Sequence, residues 1–268
     1  MSTKTLPIYQ VDAFTSALFS GNPAAIVPLS AWPDDELLQS IAAENNLAET
    51  AYIVPHGDNF ELRWFTPAVE VDLCGHATLA TAHLLFSLLQ PGRADVDFLT
   101  RQAGTLKVVR EDNLIVMDFP ARATQAIETP QALAEALGTA PQASYRSAAN
   151  IMCVFASEAE VQALTPDLRA IAALDCFAVI ATAPGDAPGI DFVSRFFAPA
   201  QGIDEDPVTG SAHCTLAPFW GERLGKTRLT ARQISPRGGT LHLDVEGERV
   251  KIAGEAVLYL KGEIYLPR

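Results

Sequence analysis

A chain of 268 residues and 28.7 kDa, 49% of it apolar, is long enough for one large domain or two modest ones with a substantial core. Its net charge of −13 argues against nucleic-acid partners and anionic membrane surfaces, where like-charge repulsion opposes binding. No apolar run approaches the ~20 residues of a membrane span, and "MSTKTLPIYQVDAF" has neither an apolar signal core nor an arginine-rich amphipathic pattern. Four cysteines (Cys74, Cys153, Cys176, Cys214) fit neither a CxxC metal pattern nor a disulfide framework, so a reducing cytoplasm is the expected location.

In chain order, "PIYQVDAF" and "AAIVPL" read as strands. A helix follows across "DDELLQSIAAEN", entered through Pro33 and two acids that suit a helix N-terminus. "TAYIVP" and "FELRWFT" are the next strands. "GHATLATAHLLFSLL" then runs for fifteen residues without a breaker and is apolar on all sides, which predicts a helix buried on all sides. "TLKVVREDNLIVMDFP" reads as a hairpin turning at Asp112–Asn113. Residues 119–128 carry no clear period and form the candidate linker, and a helix is expected from Thr129–Pro130 to Gly138. Strands "FAVIATAP" and "DFVSRFFAP" come later. They lead into "GIDEDPVTGSAH", a helix across "CTLAPFWGERL", and a β-rich run from Arg228 onward.

An internal repeat is the most informative feature. "RWFTPAVEVDLC" (63–74) and "RFFAPAQGIDED" (195–206) align without a gap, matching Arg63 with Arg195, Phe65 with Phe197, Pro67 with Pro199, Ala68 with Ala200 and Asp72 with Asp204. Each segment is a strand, a proline-bounded loop and the approach to a small-residue-rich helix. The reading is a duplicated α+β fold: two pseudo-symmetric domains, each a barrel-like β-structure around one buried central helix. Helix starts carry unsatisfied amides that bind anions, and small residues there let a ligand approach closely. The ungapped alignment places Cys74 opposite Asp206, so a thiol and a carboxyl group precede the two helices. It also makes Asp204 a loop-amide partner common to both halves, and leaves Glu205 facing solvent with no counterpart.

The stretches "YQVDAFTSALFSGNPAAIV", "AENNLAETAYIV", "LRWFTPAVEVDLCGHATLATAHLL", "DFVSRFFAPAQGIDEDPVTGSAH" and "ARQISPRGGTL" cover nearly the whole chain in order. Through them the chain resembles the PhzF-type phenazine biosynthesis proteins, which share the diaminopimelate epimerase-like fold. The resemblance implies an N-terminal domain over 1–118 completed by a C-terminal strand at 257–268, a second domain over 119–256, and an active-site cleft between them. It further implies no cofactor, a homodimer, and a small carboxylate-bearing substrate isomerised as trans-2,3-dihydro-3-hydroxyanthranilate is, by a glutamate that moves a proton along the carbon skeleton.

By its place in "NLAET" that glutamate corresponds to Glu49, and an apolar enclosure such as "NLAETAYIV" makes a carboxyl group a better base. Gly75 and His76 of "CGHATLA", with Asp206, Gly210 and Ser211 of "EDPVTGSA", correspond to residues bordering the substrate. Glu49, His76 and Asp206 are the candidate catalytic residues; Gly75, Gly210 and Ser211 are the candidate binding residues. True epimerases of this fold use two cysteines. This chain keeps Cys74 and has Asp206 at the other position, so a Cys74/Asp206 epimerase is one alternative and a non-catalytic binding protein is another. No metal is expected: His76 and His83 lack a third ligand in sequence, and the Asp204–Asp206 run has no EF-hand spacing.

Overall fold

The computed structural model describes residues 4–266. The chain forms two compact units, one of residues 1–118 with 253–268 and one of residues 119–252.

In the first unit, β1 (Lys4–Ala13) pairs antiparallel with β2 (Asn22–Pro28), and β2 pairs parallel with β3 (Glu49–His56) across the crossover helix α1 (Asp35–Asn45). β4 (Asn59–Phe65) returns antiparallel to β3 and also pairs with the two-residue β5 (Glu70–Val71). α2 (Gly75–Leu84) follows. Its side chains from His76 to Ala82 are all buried, as an all-round apolar helix requires. The expected helix over 75–89 does not stay α to its end: Leu85–Leu89 form a π-helical turn in which Leu88 and Leu89 reach the surface. β6 (Asp95–Leu99), β7 (Thr105–Glu111) and β8 (Leu114–Pro120) form a meander, with Asp112 in a left-handed conformation (φ 56°) at the turn.

The second unit carries β9 (Gln125–Ile127), α3 (Gln131–Leu137), β10 (Ala143–Ser147), β11 (Asn150–Val154), α4 (Glu158–Ala163) and α5 (Leu168–Ala172). β12 (Val179–Pro184) lies parallel to β11 and antiparallel to β13 (Phe192–Phe197). Its central helix α6 (Gly210–Leu224) buries ten residues and continues through Pro218. β14 (Arg228–Gln233) and β15 (Gly239–Glu246) pair antiparallel, and β16 (Arg249–Gly254) leads back towards the first unit. There β17 (Ala256–Leu266) pairs antiparallel with β1 along its whole length, Lys4 opposite Leu266 and Ala13 opposite Ala256. Cys153 lies buried in β11, as its apolar run suggests. Cys176 sits in the half-exposed turn between α5 and β12.

The repeat is visible inside each unit, with one correction to its register. In the first, Arg63 forks onto Glu70 through Nε and Nη2, both at 2.7 Å, and its guanidinium stacks 4.9 Å from the Phe65 ring centroid. In the second, Arg195 forks onto Glu205 at 2.7 and 2.9 Å and stacks 4.9 Å from Phe197. Glu205 is therefore not a solvent-facing residue without a counterpart; its counterpart is Glu70. The arginines are separated by 132 residues (195 − 63), whereas the glutamates (205 − 70) and the helix starts (210 − 75) are separated by 135. The second loop is three residues longer, and the extra length is taken up where Pro199–Gln201 wind into a 3-10 turn. Asp72 and Asp204, matched in the ungapped alignment, are both exposed and do not share the loop-holding role expected of them.

Candidate active site

Local backbone geometry brings three functional side chains of the first unit together. α1 ends on Asn46 in the left-handed region (φ 49°), and the chain re-enters the sheet with Glu49 as the first residue of β3, opposite Ala24. Asn45 Nδ2 donates to Thr50 Oγ1 at 3.0 Å and fixes that entry. Cys74 is the extended residue ahead of α2 (φ −138°, ψ 109°), and His76 is the second residue of its first turn. Thr78 Oγ1 donates back to the Cys74 carbonyl at 2.6 Å, so the helix start is rigidly tied.

His76 Nδ1 lies 3.5 Å from Cys74 Sγ and 3.2 Å from Asn22 Nδ2, and its Nε2 lies 3.1 Å from Glu49 Oε2. The side chains are largely removed from water, 6% exposed for His76 and 12% for Glu49. The His76–Glu49 approach is close enough for an ion pair but too poorly aligned for a hydrogen bond. As a result, Glu49 Oε2 and His76 Nε2 are buried polar atoms without a hydrogen-bond partner among the described residues. Buried polar atoms are nearly always satisfied, so a neighbouring pair of exceptions marks a place where a ligand completes the network.

Burial works against a charged His76, but the negative charges of Cys74 and Glu49 outweigh it and hold the imidazole well above its ordinary value. Burial first, and then the Glu49 charge, push the Cys74 thiol up. These two shifts do not share one charge state, since a thiol held protonated offers His76 no anion. We assign Cys74 as the neutral thiol and the Glu49 carboxylate as the counter-charge of the His76 imidazolium. A raised thiol is the reverse of the depressed value a reactive cysteine needs.

Asn22 is a site residue that sequence reasoning passed over. It is fully buried, and Gly21 delivers it: at φ +68° a Cβ on Gly21 would stand 2.2 Å from the Ala13 carbonyl oxygen. A polar residue opening the otherwise apolar run "NPAAIVP" is the signal that was available.

In the second unit the residue immediately ahead of α6 is Thr209, extended at φ −112°, so Thr209 and not Asp206 occupies the place Cys74 has in the first. The three-residue loop extension explains the change. Asp206 is still tied to that helix start, because Thr209 Oγ1 donates to Asp206 Oδ2. Gln233 clamps both: its Nε2 donates to the Asp206 carbonyl at 2.7 Å and to Thr209 Oγ1 at 3.1 Å, and its Oε1 accepts from the Thr209 amide at 2.8 Å. Gln233 also escaped the sequence reading. It stands on the inward phase of β14, where Leu229 and Ala231 are apolar, and a polar residue in an apolar phase was its signature. Gly210 is buried at the first position of α6 and Ser211 half-buried at the second; Gly75 is half-buried at the start of α2. One turn into α6, His213 donates from Nδ1 to the Thr209 carbonyl at 2.8 Å and stacks on Phe192. Burial drives its value down to about 4, so it is neutral.

A family model described as phenazine biosynthesis-like protein, PhzC–PhzF, matches residues 11–262. The chain belongs to this family. An uncharacterized isomerase of Pseudomonas aeruginosa is 51% identical to it over 261 residues, covering 97% of this chain and 99% of that protein. The solved structure of a PhzF-family phenazine biosynthesis protein from Enterococcus faecalis aligns with a TM-score of 0.94 at 45% identity, covering 98% of this chain and all of the other. A hydroxyproline epimerase from Agrobacterium vitis aligns with a TM-score of 0.61 at 10% identity over 98% of this chain and 93% of its own, a likeness of fold alone. This PhzF-family chain is an isomerase, and its architecture is the epimerase-like one that the family resemblance implied. No helix among the described residues is long and apolar enough to cross a membrane.

Proposed function

We propose that this chain is a cofactor-independent isomerase that shifts a proton on a small carboxylate-bearing metabolite, in the manner of trans-2,3-dihydro-3-hydroxyanthranilate isomerisation, with Glu49 as the single acid–base group. The observation that carries the reading is the pair of buried, unsatisfied atoms, Glu49 Oε2 and His76 Nε2, at the start of α2. A carboxylate with an open lone pair can take a proton from an activated carbon. The electron pair left behind delocalises into the adjacent conjugated system, and the new Glu49 carboxylic acid returns the proton to a different carbon. Proton and charge balance with no second base. The imidazolium of His76 has its Nε2 proton free to meet an oxygen on which negative charge develops. Asn22 stands beside Nδ1 and, with its amide turned so that the oxygen accepts from Nδ1–H, fixes the ring plane.

Asp206 and Ser211 are assigned to substrate positioning. Asp206 is held by Thr209 and Gln233, which suits a fixed acceptor for a substrate amine or hydroxyl better than a mobile base. The Cys74/Asp206 two-base alternative is the weaker reading, because Cys74 is a buried thiol pushed up and Asp206 is not the residue equivalent to it.

The test is proton–deuterium exchange in D2O over a panel of amino, hydroxy and unsaturated carboxylic acids. Exchange by the native protein that collapses in Glu49→Gln is expected. Exchange at the native rate in Glu49→Gln would remove Glu49 from the role, and no exchange on any panel member would favour the binding-protein alternative.

A further inference from the structure

We propose that Glu49, Cys74 and His76 also form a capture site for a thiophilic divalent cation, Zn2+ being the best match, and that the captured ion switches the isomerase off by occupying the base. The three side chains can each present one ligand atom such that all three lie within 4.8 Å of one another. In a tetrahedral site with metal–nitrogen and metal–oxygen bonds of about 2.1 Å and a metal–sulfur bond of about 2.3 Å, ligand atoms stand roughly 3.4–3.8 Å apart. Sγ and Nδ1 are already 3.5 Å apart, and Nε2 and Oε2 3.1 Å. Only one of the two ring nitrogens can bind, so the other ligand pairs are bounded by the 4.8 Å limit, and gathering nitrogen, sulfur and a carboxylate oxygen around a single ion requires adjustments of up to roughly 1.4 Å.

The chemistry of the donor set selects the ion. One sulfur, one nitrogen and one oxygen suit Zn2+, whereas Mg2+ and Ca2+ demand oxygen ligands throughout. Binding releases the thiol proton and the imidazolium proton to solvent. Thiolate and carboxylate then carry two negative charges against the two positive charges of the ion, so the buried site ends neutral. Asn22 supplies the outer support such a histidine needs, since its side-chain amide reaches the ring at Nδ1 and, rotated, offers its oxygen to an Nδ1–H when Nε2 is the ligand. Three protein ligands leave one position open to water or to a substrate carboxylate. A carboxylate bound to the ion is a far weaker base, because the cation's charge opposes its protonation and holds it away from the substrate, which is why the captured state is inactive. That last step rests on the assignment of Glu49 as base; capture itself does not.

The experiment separates the two. Full-length protein treated with EDTA and then freed of the chelator is titrated with Zn2+ against a chromophoric chelator, and in parallel with Co2+, whose thiolate charge-transfer absorption reports a metal–sulfur bond. One equivalent of tight sites and the charge-transfer band are expected. Affinity should fall at least tenfold and the band vanish in Cys74→Ser, with Cys176→Ala, at the half-exposed turn, behaving as wild type. Glu49→Gln is the second ligand variant and should also lose at least tenfold in affinity. Mg2+ should not compete at a hundredfold excess. Absence of a stoichiometric site, a charge-transfer band that survives in Cys74→Ser, or loss of binding in Cys176→Ala would overturn the capture site. In the exchange assay Zn2+ should abolish, and EDTA restore, the native rate. Cys74-dependent binding with undiminished exchange would overturn the switch while leaving the site. A protein that binds Zn2+ in this way but exchanges no panel substrate would point to failure of the proposed isomerisation instead.

Discussion

The starts of α2 and α6 share a frame: an extended residue, then glycine, at the end of a loop clamped by an arginine–glutamate fork over a phenylalanine. What stands on the frame differs. At α2 an imidazolium meets a carboxylate, and two polar atoms are left open. At α6 the threonine, aspartate and glutamine satisfy one another, and the nearby histidine is held neutral between Phe192 and the Thr209 carbonyl. Two buried histidines one turn or less into equivalent helices are thus pushed in opposite directions, His76 up and His213 down. The cause is a neighbouring charge in one case and its absence in the other. Duplication kept the mechanical part of the motif and let the chemical part diverge. At α2 the incompletely satisfied groups are charged; at α6 threonine, aspartate and glutamine pair with one another, and the open atom, His213 Nε2, belongs to a neutral ring.

The largest effects belong to α2. Glu49→Gln should lower deuterium exchange by about 10²–10⁴-fold or more, as loss of a sole acid–base group does, while Asp206→Asn, the corresponding loss at α6, should leave measurable turnover and raise KM. Equal losses in the two variants, read in one exchange assay, would erase the distinction.

The forks give the next largest effect and a test of the shared frame. Removing Arg195 leaves Glu205, only 16% exposed, and the Leu164 carbonyl without the arginine that donates to them. Removing Arg63 leaves Glu70 and Asp35, which are 30% and 59% exposed and can be hydrated. Arg195→Met should therefore cost about 3–5 kcal/mol in urea unfolding, and Arg63→Met less. The reverse order would show that the two forks are not equivalent in the way their geometry suggests.

The two histidines make opposite pH predictions. His76, raised in the fold, contributes stability that is fully present below its unfolded value near 6.5 and is lost as pH climbs through the higher folded value. His213, lowered to about 4, contributes stability present above about 6.5 and lost as pH falls towards 4, on the order of 3 kcal/mol across that window. His213→Leu should flatten the acid limb of a stability–pH curve, and His76→Gln the alkaline limb. A His213 imidazole NMR signal that titrates near 6.5 would contradict its burial.

The smallest effect should be Cys74→Ala. With the thiol neutral beside His76, its removal should cost about 1 kcal/mol of stability and less than tenfold in exchange. A loss matching that of Glu49→Gln would promote the thiol to an acid–base group and revive the two-base alternative.

Much of this contrast was legible in the sequence, and its gaps have physical reasons. The all-apolar run after Cys74 marked a buried helix, and Arg, Phe and Pro at a constant offset marked the duplication, because strands and their packing tolerate little length change. The offset failed beyond Pro199, where a loop turn absorbs three residues at no cost to the sheet. That is why Asp206 was set opposite Cys74, and why the Glu70–Glu205 match was missed. Glu49 and His76 were named, but nothing in their spacing of 27 residues (76 − 49) reveals a 3.1 Å approach. Asn22 and Gln233 were polar residues in apolar phases, a signal present in the text and outweighed by louder motifs. The turn from α to π at Leu85 has no breaker residue to announce it.

The pairing of β1 with β17 sets the order in which the molecule can be completed during synthesis. The second unit is one continuous stretch and has all its strands once Gly254, the end of β16, has left the ribosome. The first unit, although it begins the chain, waits with the outer edge of β1 unpaired until Ala256–Leu266 arrives some 240 residues later. The half that carries Glu49 and His76 is thus the last to close. A nascent chain stalled before Ala256 would present an unpaired strand edge to any neighbour able to add a strand of its own.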